Sequence, residues 1–472
     1  MQVRGGRVKK NRYEKVKLSY RITKRGLHVH INKRVYPINY PLSVWKNFSR
    51  NSKHFLSDNL LSVVGMQLPF MLNSKKVIYS SSFPMLEPFF RELSIFSAPA
   101  CVDADRKSVS ESLKQYLNVQ HKFRNYKIKK PNIQFEPEEK SIVTFTFGKD
   151  SLMSYAICKE LGLEPLPIYV KEPDLSGMYE NKHKHVLQEK FRKEFGQKVI
   201  NLEYGLGYAR YSERFPELQP TQFGSTSQLT EYALSLLPFL KKHKASYMVF
   251  GNEKSCSDSY FTNEGFESNP VFDQSSNWMM RIKSILSIVT RNQCTAMSVV
   301  EPLHEIAITK ILHNRYKNLA KYQTSCFADN DNGMNSRWCC SCSKCARMNI
   351  FMLACGIDPK SADLRSNMLG RESMPLYPIF NKFNKEKNSD DGRIKPYDMS
   401  GLGKDEQLLA FYMAYKNGAK GFLIEQFRKK FLNEAKSRED ELMKKFFSVH
   451  NSITMPYKIR KSVEGIYKEE LA

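Results

Sequence analysis

Residues 141–162 read SIVTFTFGKDSLMSYAICKELG. Ile142, Val143, Thr144 and Phe145 are β-branched or aromatic, the composition of a strand. That run stops at Gly148-Lys149-Asp150-Ser151, and an apolar pattern of helical period starts at once with Leu152, Tyr155 and Ala156. The stretch predicts a strand, a tight turn and a helix. Such a turn suits an anion, because the first N–H groups of a helix lack internal partners and the helix dipole places partial positive charge there. Gly148 lets a ligand approach the backbone, Lys149 adds a mobile positive charge, and Asp150 or Ser151 caps the helix. An ordinary capped strand-to-helix turn carries the same residue types, so the pattern alone leaves both readings open.

Outward from this turn the pattern becomes regular. Strand-like runs recur at 142–146, 167–170, 198–202, 246–250 and 296–300, each separated by enough chain for a helix; 181–195, 226–240 and 275–290 are the best helical stretches. Alternating strands and helices predict an α/β fold, a parallel five-stranded sheet with helices on both faces and ligands at the carboxyl ends of the strands. The turn at Gly148 lies at one such end. Gly251-Asn252-Glu253-Lys254-Ser255 and Glu301-Pro302-Leu303 lie at two others. A carboxylate such as Glu253 can hold a phosphate-bound metal or take a proton from a substrate amine, and equally it can be a loop residue. The carboxylates of Glu172 and Asp174 reach a ribose only if their loop folds inward.

The cysteines carry the most specific spacing. Cys339, Cys342 and Cys345 stand three apart, and Cys326 precedes them across FADNDNGMNSRW. Thiolates are the soft ligands of tetrahedral Zn²⁺, and a two-residue gap lets neighbouring sulfurs converge on one ion. Four sulfurs close the site, so the metal is expected to hold the fold without activating a water. Cys340 interrupts the spacing, as an alternative ligand or a free thiol; buried structural cysteines, a redox pair and an iron–sulfur cluster are the competing readings.

Two resemblances follow from these residues. Thr146-Phe147-Gly148-Lys149-Asp150-Ser151 resembles the SGGxDS loop of the PP-loop ATP pyrophosphatases, with Thr146 at the first serine and Phe147 at the first glycine. It differs from a Walker A loop, whose lysine is followed directly by Ser or Thr. The run Glu301-Pro302-Leu303, Lys310, Thr324-Ser325-Cys326, then Cys339, Cys342, Cys345 and Arg347, is similar to that of the 7-cyano-7-deazaguanine synthases. Trp338-Cys339, Lys344-Cys345 and Gly251-Asn252-Glu253 look instead like the ATP-dependent epimerases of UDP-N-acetylmuramoyl-L-alanyl-L-glutamate. The likeness covers about 140–360 and both relatives activate a carboxylate. It implies ATP bound with its phosphates over 146–151, Mg²⁺ neutralising them, Lys149, Asp150 and Glu253 in catalysis, zinc on the four cysteines, and an acyl adenylate as product. An RNA-acting member of the superfamily and a non-catalytic binding protein are the other expectations.

The whole chain bounds these readings. Its 472 residues suffice for two or three domains, and 41% hydrophobic with 12% aromatic content is that of a folded protein. The domains expected are a basic accessory domain at 1–130, an ATP-binding domain at 136–320, a zinc segment at 321–360 and a helical extension at 361–472, read as a solvated appendage, with a mobile loop at 381–398. Within 1–125, the alternation predicts a hairpin near Lys24-Arg25-Gly26 and a Ser-capped helix at 108–123. The longest apolar run, 60–72, is too short to span a bilayer, and no signal-peptide core follows the basic N-terminus, so no membrane and a cytoplasmic location are expected. Ten dilute cysteines agree with a reducing compartment. The net charge of +26 agrees with attraction to a nucleotide-linked substrate or a nucleic acid, or with a general basic bias of the source organism's proteins. Residues 1–35 hold twelve Lys/Arg against one Glu, so a basic arm for phosphates or a solvated tail is expected there.

Overall fold

The computed structural model describes residues 14–210, 222–380 and 401–472. The chain packs as two compact units that interleave in sequence. The first comprises Met1–Gln134, Leu202–Lys242 and Phe261–Asp273; the second comprises Phe135–Asn201, His243–Tyr260 and Gln274–Ala472. Residues 202–242 and 261–273 thus leave the ATP-binding stretch expected at 136–320 and join the N-terminal unit. Most of residues 14–35, the described part of the basic arm expected at 1–35, is drawn into strands, while 1–13 and the loop expected at 381–398 lie outside the described residues.

In the first unit β1 (Lys15–Ile22), β2 (Gly26–Ile31) and β3 (Arg34–Asn39) form an antiparallel meander through the expected hairpin. β4 (Lys76–Ser82) and β5 (Gln120–Asn125) add to it in parallel on the β1 side. Helix Arg50–Leu72 is longer than its apolar run because Ser52, Ser57, Asp58 and Asn59 continue the turns inside the protein. Among the described residues it is the one helix long and apolar enough to cross a membrane, and 94% of its most apolar window is buried within the fold. Ser108 caps the next expected helix by accepting from Glu111 N at 3.2 Å. That helix ends at Leu117, and the rest of the predicted span is β5.

The second unit carries four further parallel strands. β6 (Glu138–Thr144) lies between β7 (Pro165–Lys171) and β9 (Ala245–Val249), and β10 (Thr295–Met297) pairs beyond β9, all in parallel. β8 (Ile200–Tyr204), read as the fifth parallel strand, has registered pairs to β3 that are antiparallel, Ile38 with Tyr204 and Asn39 with Glu203. The helix expected at 226–240 is two helices, Gln228–Ser235 and Leu237–His243, divided at Leu236-Leu237-Pro238. Proline removes the N–H donor that a continuous helix needs there.

The C-terminal region is no appendage. Leu409, Phe411, Phe427, Phe446 and Tyr467 are fully buried in the same core as Phe145, Phe147 and Leu152. Tyr467 donates to Val299 O at 2.8 Å, and Ile306 N donates to Glu406 Oε1 at 3.0 Å. Burying five such side chains stabilises by roughly 1.5–3 kcal/mol each, which outweighs the charged outer faces that suggested solvation.

Candidate functional site

The expected turn forms between β6 and helix Lys149–Glu160, with Gly148 as the N-cap residue. Ser151 Oγ sits at its centre: it accepts from Thr146 N at 3.2 Å and donates to Gly148 O at 3.0 Å. No side chain at the N-cap position caps the first helical turn, and Gly148 N donates to Thr146 Oγ1 at a long 3.4 Å. Asp150 and Ser151 are therefore not its caps.

Phe147 has φ +60, the left-handed conformation that the resembling loop fills with glycine. Its ring is fully buried against Phe145, at 4.8 Å between centroids, and Phe191, at 5.8 Å. The ring anchors the turn in the hydrophobic core. A left-handed L-residue costs about 1–2 kcal/mol, whereas deleting a buried Phe costs about 3–5 kcal/mol. Phe147→Gly should therefore destabilise by roughly 2–3 kcal/mol despite the better backbone fit. Urea unfolding would show this, and a variant as stable as wild type would contradict the anchoring role.

Lys149 is not the mobile charge expected from sequence. It is 3% exposed, with its Nζ 2.6 Å from Asp150 Oδ1, 3.6 Å from Glu253 Oε2 and 3.7 Å from Glu305 Oε1. Burial alone would strip its proton, but the Asp150, Glu253 and Glu305 carboxylates outweigh burial and raise its pKa above the ordinary lysine value. Burial and the repulsion of Glu305 push the Glu253 carboxyl well up. Burial also opposes ionisation of Glu305, yet Arg347 and Lys149 prevail and hold it down at about 2. Burial raises Asp150 against the pull of Lys149. The result is a buried cluster of two cations and three carboxyl groups in which Glu305 is the firmest anion.

The cluster is assembled by close backbone approach. A Cβ at Gly251 would lie 2.8 Å from Asp150 Cβ, so only glycine lets the end of β9 meet the turn. Ser255 Oγ then donates to Glu253 Oε1 at 2.7 Å, while the buried Asn252 Nδ2 has no hydrogen-bond partner. Glu301 serves the fold: its carboxylate accepts from Ser452, Ile453 and Thr454 of the C-terminal segment. Asp174 is occupied by the Asn181 side chain at 2.9 Å, and no ribose contact follows from it. Glu305 went unrecognised in the sequence, since a glutamate in a first helical turn reads as a dipole partner.

Cys326, Cys339, Cys342 and Cys345 converge, with all four sulfurs within 4.8 Å of one another. Cys345 Sγ lies 3.8 Å from Cys339 Sγ and 3.6 Å from Cys342 Sγ. Zn–S bonds of about 2.3 Å in a tetrahedron place sulfurs about 3.8 Å apart, so the set fits such an ion. Cys339 N and Ala328 N each donate to Cys326 Sγ at 3.2 Å, the solvation a thiolate needs. The sulfur-to-sulfur contacts pull Cys339 down to about 6 and lower Cys342, while raising Cys326 and Cys345, since four thiolates cannot coexist without a cation. Cys340 is outside the set, with φ +55 and its thiol turned to Trp338 O at 3.6 Å. Among the described residues this is the one group with metal-ligand spacing.

A scan against protein-family models finds no match to this chain, and a search of curated protein sequences finds none either.

Proposed function

We propose that this chain is an AMP- and pyrophosphate-forming enzyme that adenylates a substrate carboxylate, as the resemblance to PP-loop ATP pyrophosphatases implies. The observation that carries the reading is the uncapped helix start at Gly148, set beside Asp150 and Glu253 at the ends of two parallel strands. Gly148 supports it further. Its φ of −69 is open to any residue, and the nearest atom to an added Cβ is Thr146 Oγ1 at 3.3 Å. A Cβ there would press on the Thr146 hydroxyl, and the bare Cα also lets a ligand come close to the turn. Asn252 Nδ2, a buried donor without a partner, is a second group that a bound polar ligand would satisfy.

The first-turn amides would hold the β- and γ-phosphates, and their fixed dipoles would stabilise the charge that grows on departing pyrophosphate. Lys149 acts as the buried counter-ion that fixes Asp150 and Glu253, not as a hand on the phosphate. Because the cluster holds more carboxyl groups than cations, bare phosphates gain little there. Mg²⁺, which takes one or two carboxylates together with phosphate oxygens, fits that donor set, with Asp150 and Glu253 as its holders; when bound it neutralises the phosphates. The four cysteines would hold zinc in a closed, structural site.

Incubation with ATP, Mg²⁺ and a panel of carboxylic acids should release pyrophosphate and form an acyl adenylate with at least one acid, and added hydroxylamine should take the acyl group and release AMP. Asp150→Ala should lower ATP–pyrophosphate exchange by about 10²–10³-fold with bound metal on the cysteines unchanged. ADP as the product, or undiminished exchange in the variant, would overturn the proposal.

A further inference from the structure

We infer that the four-cysteine centre positions the nucleotide turn, with Thr324 and Arg347 as the two residues that transmit its geometry. The inference uses the nucleotide reading of 146–151 only for its ligand-binding arm. Both transmitters lie two residues from a ligand cysteine, one before Cys326 and one after Cys345.

Thr324 is the first tether. Its N–H donates to Phe147 O at 2.8 Å, and its hydroxyl donates to Arg337 O at 3.1 Å, two residues before Cys339. The left-handed φ of Phe147 is unfavourable for an L-residue, so the peptide that follows it tends to relax if its carbonyl is released. Relaxation would rotate the Gly148 N–H. Residues 323–328 carry no helix or strand of their own; the buried Gln323, bonded to His313 at 2.8 Å, holds one side of Thr324 and the cysteine centre holds the other.

Arg347 is the second tether. Helix Ser343–Ala354 begins with Cys342 as its N-cap residue and Cys345 in its first turn, so the sulfurs set where the helix starts. Arg347 Nε lies 2.9 Å from Glu305 Oε2, and the other oxygen of Glu305 lies 3.7 Å from Lys149 Nζ. All three side chains are buried, so a shift of the helix start cannot be absorbed by solvent. Without a cation no bond ties the four sulfurs to one centre, and the starts of the two segments that carry them are free to move apart. The two tethers then deliver that change to opposite sides of one turn, Phe147 O and Lys149 Nζ.

The experiment compares wild type, Arg347→Gln and Arg347→Lys, metal-loaded and after chelation, by amide hydrogen exchange and by titration with Mg²⁺ and inorganic pyrophosphate. Metal-loaded Arg347→Gln should keep one metal per chain and unchanged exchange in peptides of the first unit. Its 146–152 peptide should exchange faster and its pyrophosphate affinity should fall, each by about 10-fold, as for outer-shell partners of metal sites. Arg347→Lys should recover part of both, and chelation of wild type should reproduce both. Unchanged exchange at 146–152 in metal-loaded Arg347→Gln would overturn the inference. If chelation unfolds the protein, that metal-loaded arm decides it alone. Wild type that binds no pyrophosphate, yet shows metal-dependent exchange at 146–152, would sink the proposed function and leave this inference standing.

Discussion

Lys149→Met should destabilise the protein by about 3–5 kcal/mol near neutral pH, because removing one partner of a buried ion cluster strands the others. The variant keeps the length of the side chain, so the loss reports charge and not packing. Its pH dependence identifies the cause. Folding raises the Lys149 pKa, so its stabilisation is complete below the unfolded lysine value and is lost only as pH rises through the raised one. Glu305 runs the opposite way: held at about 2, it stabilises above the unfolded carboxyl value and loses that contribution as pH falls toward 2. In the variant the stranded Asp150 and Glu253 carboxyls, both raised by burial, escape their cost by protonating. Its deficit should therefore narrow as the pH falls from their raised values toward the unfolded value of about 4. Urea unfolding at pH 7.5 and pH 4 measures this. Equal midpoints for variant and wild type at pH 7.5 would show that the cluster is not a stability determinant.

Cys345→Ser should abolish metal binding, whereas Cys340→Ser should leave one metal per chain. Structural zinc contributes on the order of 10 kcal/mol of apparent binding free energy in small domains. That is comparable to the whole net stability of a typical domain, about 5–15 kcal/mol. Helix Ser343–Ala354, which starts at the cysteines and buries Ile350 and Phe351, is expected to lose its fixed position. Elemental analysis gives the stoichiometry, and cobalt substitution should show the sulfur-to-metal absorption of a four-thiolate site. Visible absorption of the protein as isolated distinguishes zinc from an iron–sulfur cluster. Full metal content in Cys345→Ser would remove it as a ligand, and loss of metal in Cys340→Ser would bring Cys340 in.

The turn was readable because two periodicities meet there, β-branched residues up to Phe145 and a helical pattern from Leu152. The cysteines were readable because ligand spacing is a local property, and the structure brings the named four within reach of one ion. What could not be read is long-range. Glu305 joins Lys149 across more than 150 residues, and nothing local marks it. The helical pattern after 400 reads as a solvated extension because its charges are local and visible, whereas its part in the core under the turn is not. Residues 202–242 look like another strand-linked helical segment, and their packing with the N-terminal unit depends on side chains such as Phe223 and Phe239, stacked and tilted against Phe70 and Tyr40. The lysine was misread for a different reason. Motif logic assigns it to phosphate, while three carboxylates that only the fold assembles claim it first.

The central claim is that the amides following Phe147 hold the phosphates of ATP. A crystal structure of the protein with Mg²⁺ and a non-hydrolysable ATP analogue tests it most directly. β- and γ-phosphate oxygens are expected within about 3.2 Å of the backbone nitrogens of residues 148–151, with Lys149 still paired to its carboxylates. Phosphates bound elsewhere, with those amides facing only water, would contradict it.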